Sequence, residues 1–237
     1  MAFFRGPNIV TDGLILALDA ASPKSYPGSG TTWYDLTTNS LDATLYNGVS
    51  FSTNKQGTMV FDGVNDYGQI SSSTLTAINI FTFELWFNRT GIATTTPPYD
   101  RIFQKDGGYS GYPAWGWSIA ESDPATISFL SAYGSSNGEA NNGIGFSGND
   151  QISLNEWNCL ATTLDSNLLA SNYFNGVLSN SGTLNNAPMD TQNVIRIAIG
   201  DGRESQGEIS TVKVYNRALT ADEVAQNYNA LKSRFGL

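Results

Sequence analysis

Phe81-Thr-Phe-Glu-Leu-Trp-Phe87 alternates without a break: Phe81, Phe83, Leu85 and Phe87 fall on one face, and Thr82, Glu84 and Trp86 on the other. Successive side chains of a strand point to opposite sides, so this run reads as a strand with one face in a core. Trp86, on the opposite face, is either covered by a loop or an exposed platform, and the covered reading is preferred. The same reading spreads outward. Leu14 to Leu18 is nearly continuous in hydrophobicity, as for a strand covered on both faces, and Thr126–Tyr133, Trp157–Leu164, Val194–Ile199 and Ile209–Tyr215 are further strands. Asn175-Gly176, between Phe174 and Val177, marks a tight hairpin because both residues tolerate the positive φ of a type I′ turn. One helix is expected, over about 220–233: Thr220-Ala-Asp-Glu223 is a capping box, Val224, Tyr228 and Leu231 follow at helical spacing, and Gly236 lies beyond the end. Gly134 to Asn149 is polar enough for a linker, yet the strands on either side share one character, so it reads as a long surface loop. The expectation is an all-β protein of two packed antiparallel sheets with one short C-terminal helix. An N-terminal arm, residues 1–12, precedes a single domain over 13–237.

Composition narrows the chemistry. The chain of 237 residues has no histidine and one cysteine, Cys159. That removes Ser-His-Asp and Cys-His nucleophiles, His-ligated metals, Cys₄ zinc and any intrachain disulfide. Charged residues are 14% of the chain, and Ser, Thr, Asn and Gly together supply 94 of its positions, a surface of neutral hydroxyls and amides that suits strands and turns. The net charge is −9 and the cations are scattered singly, so nucleic acid and anionic membranes, which need clustered cations, are not expected partners. No secretion signal is read at Met1–Pro7, and Leu14–Leu18 is far too short for a membrane span. A cytosol-made chain with a surface like an extracellular module fits a protein released by lysis, such as a virion part.

Several segments, in order, carry a resemblance. They are Gly13-Leu-Ile-Leu-Ala-Leu-Asp19, Trp33-Tyr-Asp-Leu36, Val60-Phe-Asp-Gly-Val-Asn-Asp-Tyr67, Phe81-Thr-Phe-Glu-Leu-Trp86, Trp157, Tyr173-Phe-Asn-Gly176, Gly207-Glu-Ile209 and Val214-Tyr-Asn-Arg-Ala-Leu-Thr-Ala-Asp-Glu-Val224. From about residue 13 to 231 the chain resembles the laminin-G-like, concanavalin A-like jelly roll. The opening through Trp33 and the close at Asn227–Leu237 are similar to such domains in tailed-phage virion proteins. The resemblance implies a sandwich, frequent sugar or protein binding, and in some members calcium. Many members carry Asp-Glu after Gly-x-Ile in the penultimate strand; here Ser210 and Thr211 stand there, which speaks against a family-type calcium site.

Candidate residues follow. Glycoside hydrolases of this fold need two carboxylates flanking the sugar bond, and the family's Glu-x-Asp-x-x-Glu run is absent; Glu121-Ser-Asp123 precedes Pro124 and reads as a turn. Asp62 and Asp66, around Gly63 and Asn65, form an oxygen-rich turn that is the weak candidate for calcium, with ordinary turn chemistry as the preferred reading. Asp201-Gly-Arg-Glu204 is read the same way, and Asp19 and Asp35 as loop-ordering acceptors. Tyr109, Tyr112, Trp115 and Trp117 sit in or beside a Gly/Pro-rich loop and are the glycan-binding candidates, although Trp115 and Trp117, two apart on one strand, also suit a core. Trp157 is assigned to the core and Cys159 to an inert buried thiol. Asn88-Arg-Thr90 matches a glycosylation sequon. Phe3 and Phe4 are protein-docking candidates on the arm. The function expected is a non-catalytic virion structural protein, a capsid decoration or tail or fibre component, docking on other virion proteins, with trimers plausible under particle symmetry. The alternative is a lectin-like module that recognises host surface glycans. A glycan hydrolase is the third and least favoured reading, and no cofactor is expected.

Overall fold

The computed structural model describes residues 7–71, 79–92, 99–105, 115–120, 122–131, 142–185, 187, 194–198 and 204–237. Its strands are β1 (Leu14–Asp19), β2 (Thr32–Trp33), β3 (Ala43–Tyr46), β4 (Ser50–Ser52), β5 (Thr58–Asp62), β6 (Tyr67–Ser71), β7 (Phe81–Arg89), β8 (Tyr99–Lys105), β9 (Trp115–Ala120), β10 (Ile127–Ser131), β11 (Asn142–Gly145), β12 (Trp157–Leu164), β13 (Leu169–Phe174), β14 (Val177–Thr183), β15 (Val194–Ile197) and β16 (Gln206–Tyr215), followed by the helix α1 (Ala221–Phe235). They form two antiparallel sheets in a jelly-roll sandwich. One runs β14-β13-β12-β7-β16-β5-β4, with β1 beside β5 along the longer β16; the other runs β11-β10-β9-β8-β15-β6-β3-β2.

The alternation of β7 does what its pattern demands. Phe81, Phe83, Leu85 and Phe87 join the main core, each 1% exposed or less. Phe83 meets Trp115 and Trp117 of β9 at ring-centroid distances of 4.9 and 4.4 Å, and Phe81 meets Trp115 at 4.8 Å. Trp117 Nε1 donates to Thr162 Oγ1 at 2.9 Å, whose hydroxyl donates to Asn172 Oδ1 at 2.7 Å, so the indole's polar atom is satisfied inside the core. The opposite face of β7 is buried too, because α1 lies on it. Trp86 stacks on Phe235 (4.0 Å) and Tyr228 (5.5 Å), and Trp157 packs on Phe235 at 4.8 Å. Beneath the helix, Lys213 Nζ donates to Glu84 Oε1 at 2.5 Å, and Asn227 Nδ2 donates to Glu84 Oε2 at 3.0 Å.

The helix begins where the capping box places it, with Thr220 Oγ1 accepting from the Glu223 N–H and Glu223 reaching back to Thr220. It ends at Phe235, two residues beyond the expected Ser233, because Gly236 takes the left-handed φ of 84° that closes it. Asn175 (φ 50°) and Gly176 (φ 78°) form the expected two-residue turn between β13 and β14. A Cβ at Gly176 would lie 2.7 Å from the Tyr228 side chain, so glycine also lets the helix approach this hairpin.

The last residues of the expected arm, 1–12, are bonded to the body of the domain. Val10 is buried; its N–H donates to Asn227 Oδ1 (2.8 Å), its carbonyl accepts from the Tyr215 hydroxyl (3.0 Å), and Arg217 Nε donates to the Asp12 carbonyl (3.2 Å). Residues 8–12 are thus fastened to the helix side of the sandwich. Phe3 and Phe4 lie outside the described residues. Among the described residues, no helix is long and apolar enough to cross a membrane.

Candidate functional site

Two adjacent strands, β7 and β12, build the floor of a cleft beside the helix end, and β16 flanks β7. In the ladder, Trp157 of β12 lies opposite Asn88 of β7, and Asn88 lies opposite Glu208 of β16. Residues directly opposite share a face, so an aromatic, an amide and a carboxylate stand in one row on the helix side. The turn before β12 supplies Asn155 and Glu156, the 3₁₀ turn Asn54–Gln56 supplies Asn54 and Lys55, the hairpin supplies Asn175, and the helix end supplies Phe235 and Leu237. With Asn88, Trp157 and Asn158 these residues line an open cleft of about 500 Å³, and Glu208 stands behind Asn88 and Asn54, to which it is hydrogen-bonded.

Its polar groups are partly committed. Glu208 Oε2 accepts from Asn88 Nδ2 (3.1 Å) and Asn54 Nδ2 (3.2 Å). Asn158 Oδ1 accepts from Asn175 Nδ2 (3.2 Å), and Asn175 Oδ1 accepts from the Cys159 N–H (2.8 Å). Asn88 Oδ1 is buried without a hydrogen-bond partner. Asn54, Asn155 and Glu156 are exposed at the rim. Asn155 holds φ 62° and Lys55 φ 48°; non-glycine residues in that region concentrate where surrounding structure enforces them. An amide carries donors and an acceptor side by side, which matches the hydroxyls of a sugar, and Trp157 and Phe235 are the aromatic residues among the lining.

The expected sites fare differently. Trp115 and Trp117 are each 1% exposed; with no ring face open to a sugar, the core reading of this pair replaces the platform reading. Tyr109 and Tyr112 lie outside the described residues, as do Glu121 and Asp201. Asp62 Oδ1 accepts from the Val64 N–H (2.8 Å), and Asp66 Oδ2 accepts from the Asp62 N–H (3.3 Å), which is turn chemistry. Burial, then the nearby Asp62 charge, raises the Asp66 carboxyl above its ordinary pKa. Among the described residues no group of three or more Cys, Asp or Glu could hold a metal ion. Asp19 and Asp35 order loops: Asp19 Oδ1 accepts from the Ala21 N–H, and the Asp35 carboxylate from the N–H groups of Ala17, Thr37 and Leu41. Asp123 lies in a turn and accepts from the Leu154 N–H. Ser210 Oγ donates to the Gly57 carbonyl at 2.7 Å. Trp157 and Cys159 are buried, and burial pushes the free Cys159 thiol well above its ordinary pKa. The sequon residue Asn88 is buried against Glu208. Sequence reasoning passed over Asn54, Asn88, Asn155, Asn158, Asn175 and Glu208 as a set; the visible signal was Asn155-Glu-Trp-Asn158 opening a strand.

Residues 62–225, well over half of the chain, match the family model described as the concanavalin A-like lectin/glucanases superfamily. No curated protein sequence matches the chain. Among solved structures, the binding domain of botulinum neurotoxin DC in complex with rat synaptotagmin II superimposes with a TM-score of 0.70 at 14% identity, covering 92% of this chain and 52% of that one. A botulinum neurotoxin type C structure, whose cell entry depends on interaction with two ganglioside molecules, gives 0.69 at 13%, covering 92% and 51%. Trypanosoma rangeli sialidase in complex with sialic acid gives 0.70 at 16%, covering 97% and 35%. The chain thus spans about half the length of the toxin chains and a third of the sialidase, and at these identities the likeness is one of fold.

Proposed function

We propose a carbohydrate-binding role for this chain, which belongs to the concanavalin A-like lectin/glucanases superfamily. The observation that carries the reading is the cleft itself: five asparagine side chains converge with Trp157 and Phe235 on one open space of about 500 Å³. Neutral amides exchange hydrogen bonds with hydroxyls without the desolvation cost of a buried charge. The scarcity of clustered cations favours such a ligand over a polyanion. The ganglioside and sialic acid partners of structurally similar proteins support the same class of ligand.

The reading is one of binding without catalysis. It draws on the absence of histidine from the chain and of the paired-carboxylate run in the sequence. It also invokes no metal, because the polar groups it uses are the amides that line the cleft. Docking on a virion protein has its named residues, Phe3 and Phe4, outside the described ones and contributes none to the cleft; its own test is particle incorporation after deletion of residues 1–6.

A glycan array followed by titration calorimetry tests the proposal. Asn155→Gly keeps the left-handed backbone and removes the amide, and Asn54→Ala removes the second rim amide. Together they should weaken binding at least tenfold at unchanged melting temperature, with chelator present or absent. Unaltered affinity in the double variant, or release of reducing ends from any bound oligosaccharide, would overturn the reading.

A further inference from the structure

The turn that carries Asn54 and Lys55 is held in an unfavourable backbone. Lys55 (φ 48°) and Gln56 (φ 70°) are consecutive non-glycine residues in the left-handed region, where L-residues crowd their own carbonyls. Gly57 follows with φ 153°, and a Cβ there would stand 2.3 Å from the Ala20 carbonyl oxygen. Such a conformation persists only where its surroundings over-determine it.

Arg234, in the last turn of α1, supplies that constraint. Its Nε donates to the Lys55 carbonyl at 2.7 Å, and its Nη2 to the Gly57 carbonyl at 3.0 Å and to Ser210 Oγ. Its Nη1 donates to Asp19 Oδ1 at 2.8 Å. In return Lys55 Nζ donates to the Phe235 carbonyl at 3.0 Å, and the Gly57 N–H closes the turn on the Asn54 carbonyl at 2.9 Å. The turn is a partition. Asn54 and Lys55 face the amide-lined cleft, while Gln56 faces a second cavity of about 470 Å³ lined also by Asp19, Ser22 and Arg234.

We infer that Arg234 is a positioning residue of the binding cleft: by clamping the strained 54–57 turn it sets where Asn54 and Lys55 stand at the rim. The ligand side of this inference rests on the glycan reading; the backbone side does not. A guanidinium reaches four acceptors from one plane, whereas an ammonium is a point donor. Lysine at 234 therefore keeps the charge near Asp19 and loses the span to both turn carbonyls. The released turn relaxes toward right-handed conformers and carries Asn54 away from the cleft.

The test uses the full chain with Arg234→Lys, and the same variant with Gln56→Gly added. Glycine adopts φ 70° without penalty, so the second change restores the turn but not the lost helix-end hydrogen bonds. In Arg234→Lys, hydrogen exchange at the Gly57 amide should quicken at least tenfold, and affinity for the best neutral oligosaccharide on the array should fall at least fivefold. Both should return to within twofold of the parent on adding Gln56→Gly. A merely structural role for Arg234 in docking the helix predicts losses that Gln56→Gly leaves in place, and that result overturns the inference, as does unchanged Gly57 exchange in Arg234→Lys. If the parent chain binds no oligosaccharide on the array, the glycan reading fails and Gly57 exchange alone decides the positioning role. Should Arg234→Lys not fold, Ser210→Ala removes one of the clamp's acceptors and should quicken Gly57 exchange in the same direction; no change there refutes the clamp.

Discussion

Phe235→Ala probes the attachment of the helix to the sandwich. Phe235 is 4% exposed and its ring lies parallel to Trp86, with centroids 4.0 Å apart and 9° between planes; the ring also packs on Trp157 at 4.8 Å, and the Arg234 guanidinium lies 5.3 Å from its centroid. Truncating a buried phenylalanine costs about 3–5 kcal/mol. The low end, about 3 kcal/mol, applies here, because the last helical turn can fray and let solvent into the vacated space. In a chain of this length each kcal/mol lowers the melting temperature by about 2–4 °C, so the drop should be about 6–12 °C. All five tryptophans are 8% exposed or less, so native emission is blue, and Trp86, which the ring covers, should become quenchable by acrylamide with a red shift. Thermal unfolding followed by circular dichroism, with fluorescence beside it, makes the measurement. A melting temperature within about 2 °C of the parent, below the effect of one kcal/mol, with unchanged emission, would refute the claim that this ring fastens the helix.

Three further outcomes are expected. Breaking the buried Lys213–Glu84 pair by Lys213→Met or Glu84→Gln alone should cost about 3–5 kcal/mol in urea unfolding, and the double variant should recover much of it; additive losses would show no coupling. Glu223 is held down to about 2, first by its hydrogen bonds with Arg217; a depressed folded pKa contributes stability above the ordinary glutamate value of about 4.3 that is lost as pH falls toward 2, so Glu223→Gln should flatten melting temperature against pH across that window. Trp115→Ala should lower stability by about 3–5 kcal/mol as a core truncation while leaving glycan affinity of the folded fraction unchanged; a selective loss of binding would restore its sugar-platform role.

The central strand, the Asn175-Gly176 hairpin and the capped helix were legible in sequence because each is governed by near neighbours: alternation, positive-φ tolerance and a hydroxyl three residues from a glutamate. For Trp86 the pattern points to a loop as cover, whereas the cover is the helix: Phe235 stands 149 positions away and left no local sign. Trp115 and Trp117 illustrate the opposite difficulty. Alternation says that they share a face, but whether that face meets another sheet or a sugar depends on which strands cross above them. The attachment of Val10 left no sign in the sequence for the same reason, since its partners are Asn227 and Tyr215.

Residue order alone determined the sandwich class, the single terminal helix and the exclusion of histidine-dependent chemistry and of an intrachain disulfide, because periodicity and composition are properties of the chain itself. Only the folded arrangement decided that Asn54, Asn88, Asn155 and Asn158 share one cleft and that Arg234 secures its rim. Their meeting comes from the lateral register of β12, β7 and β16 and from the docking of α1, and register joins residues by distance across a sheet rather than by distance along the chain.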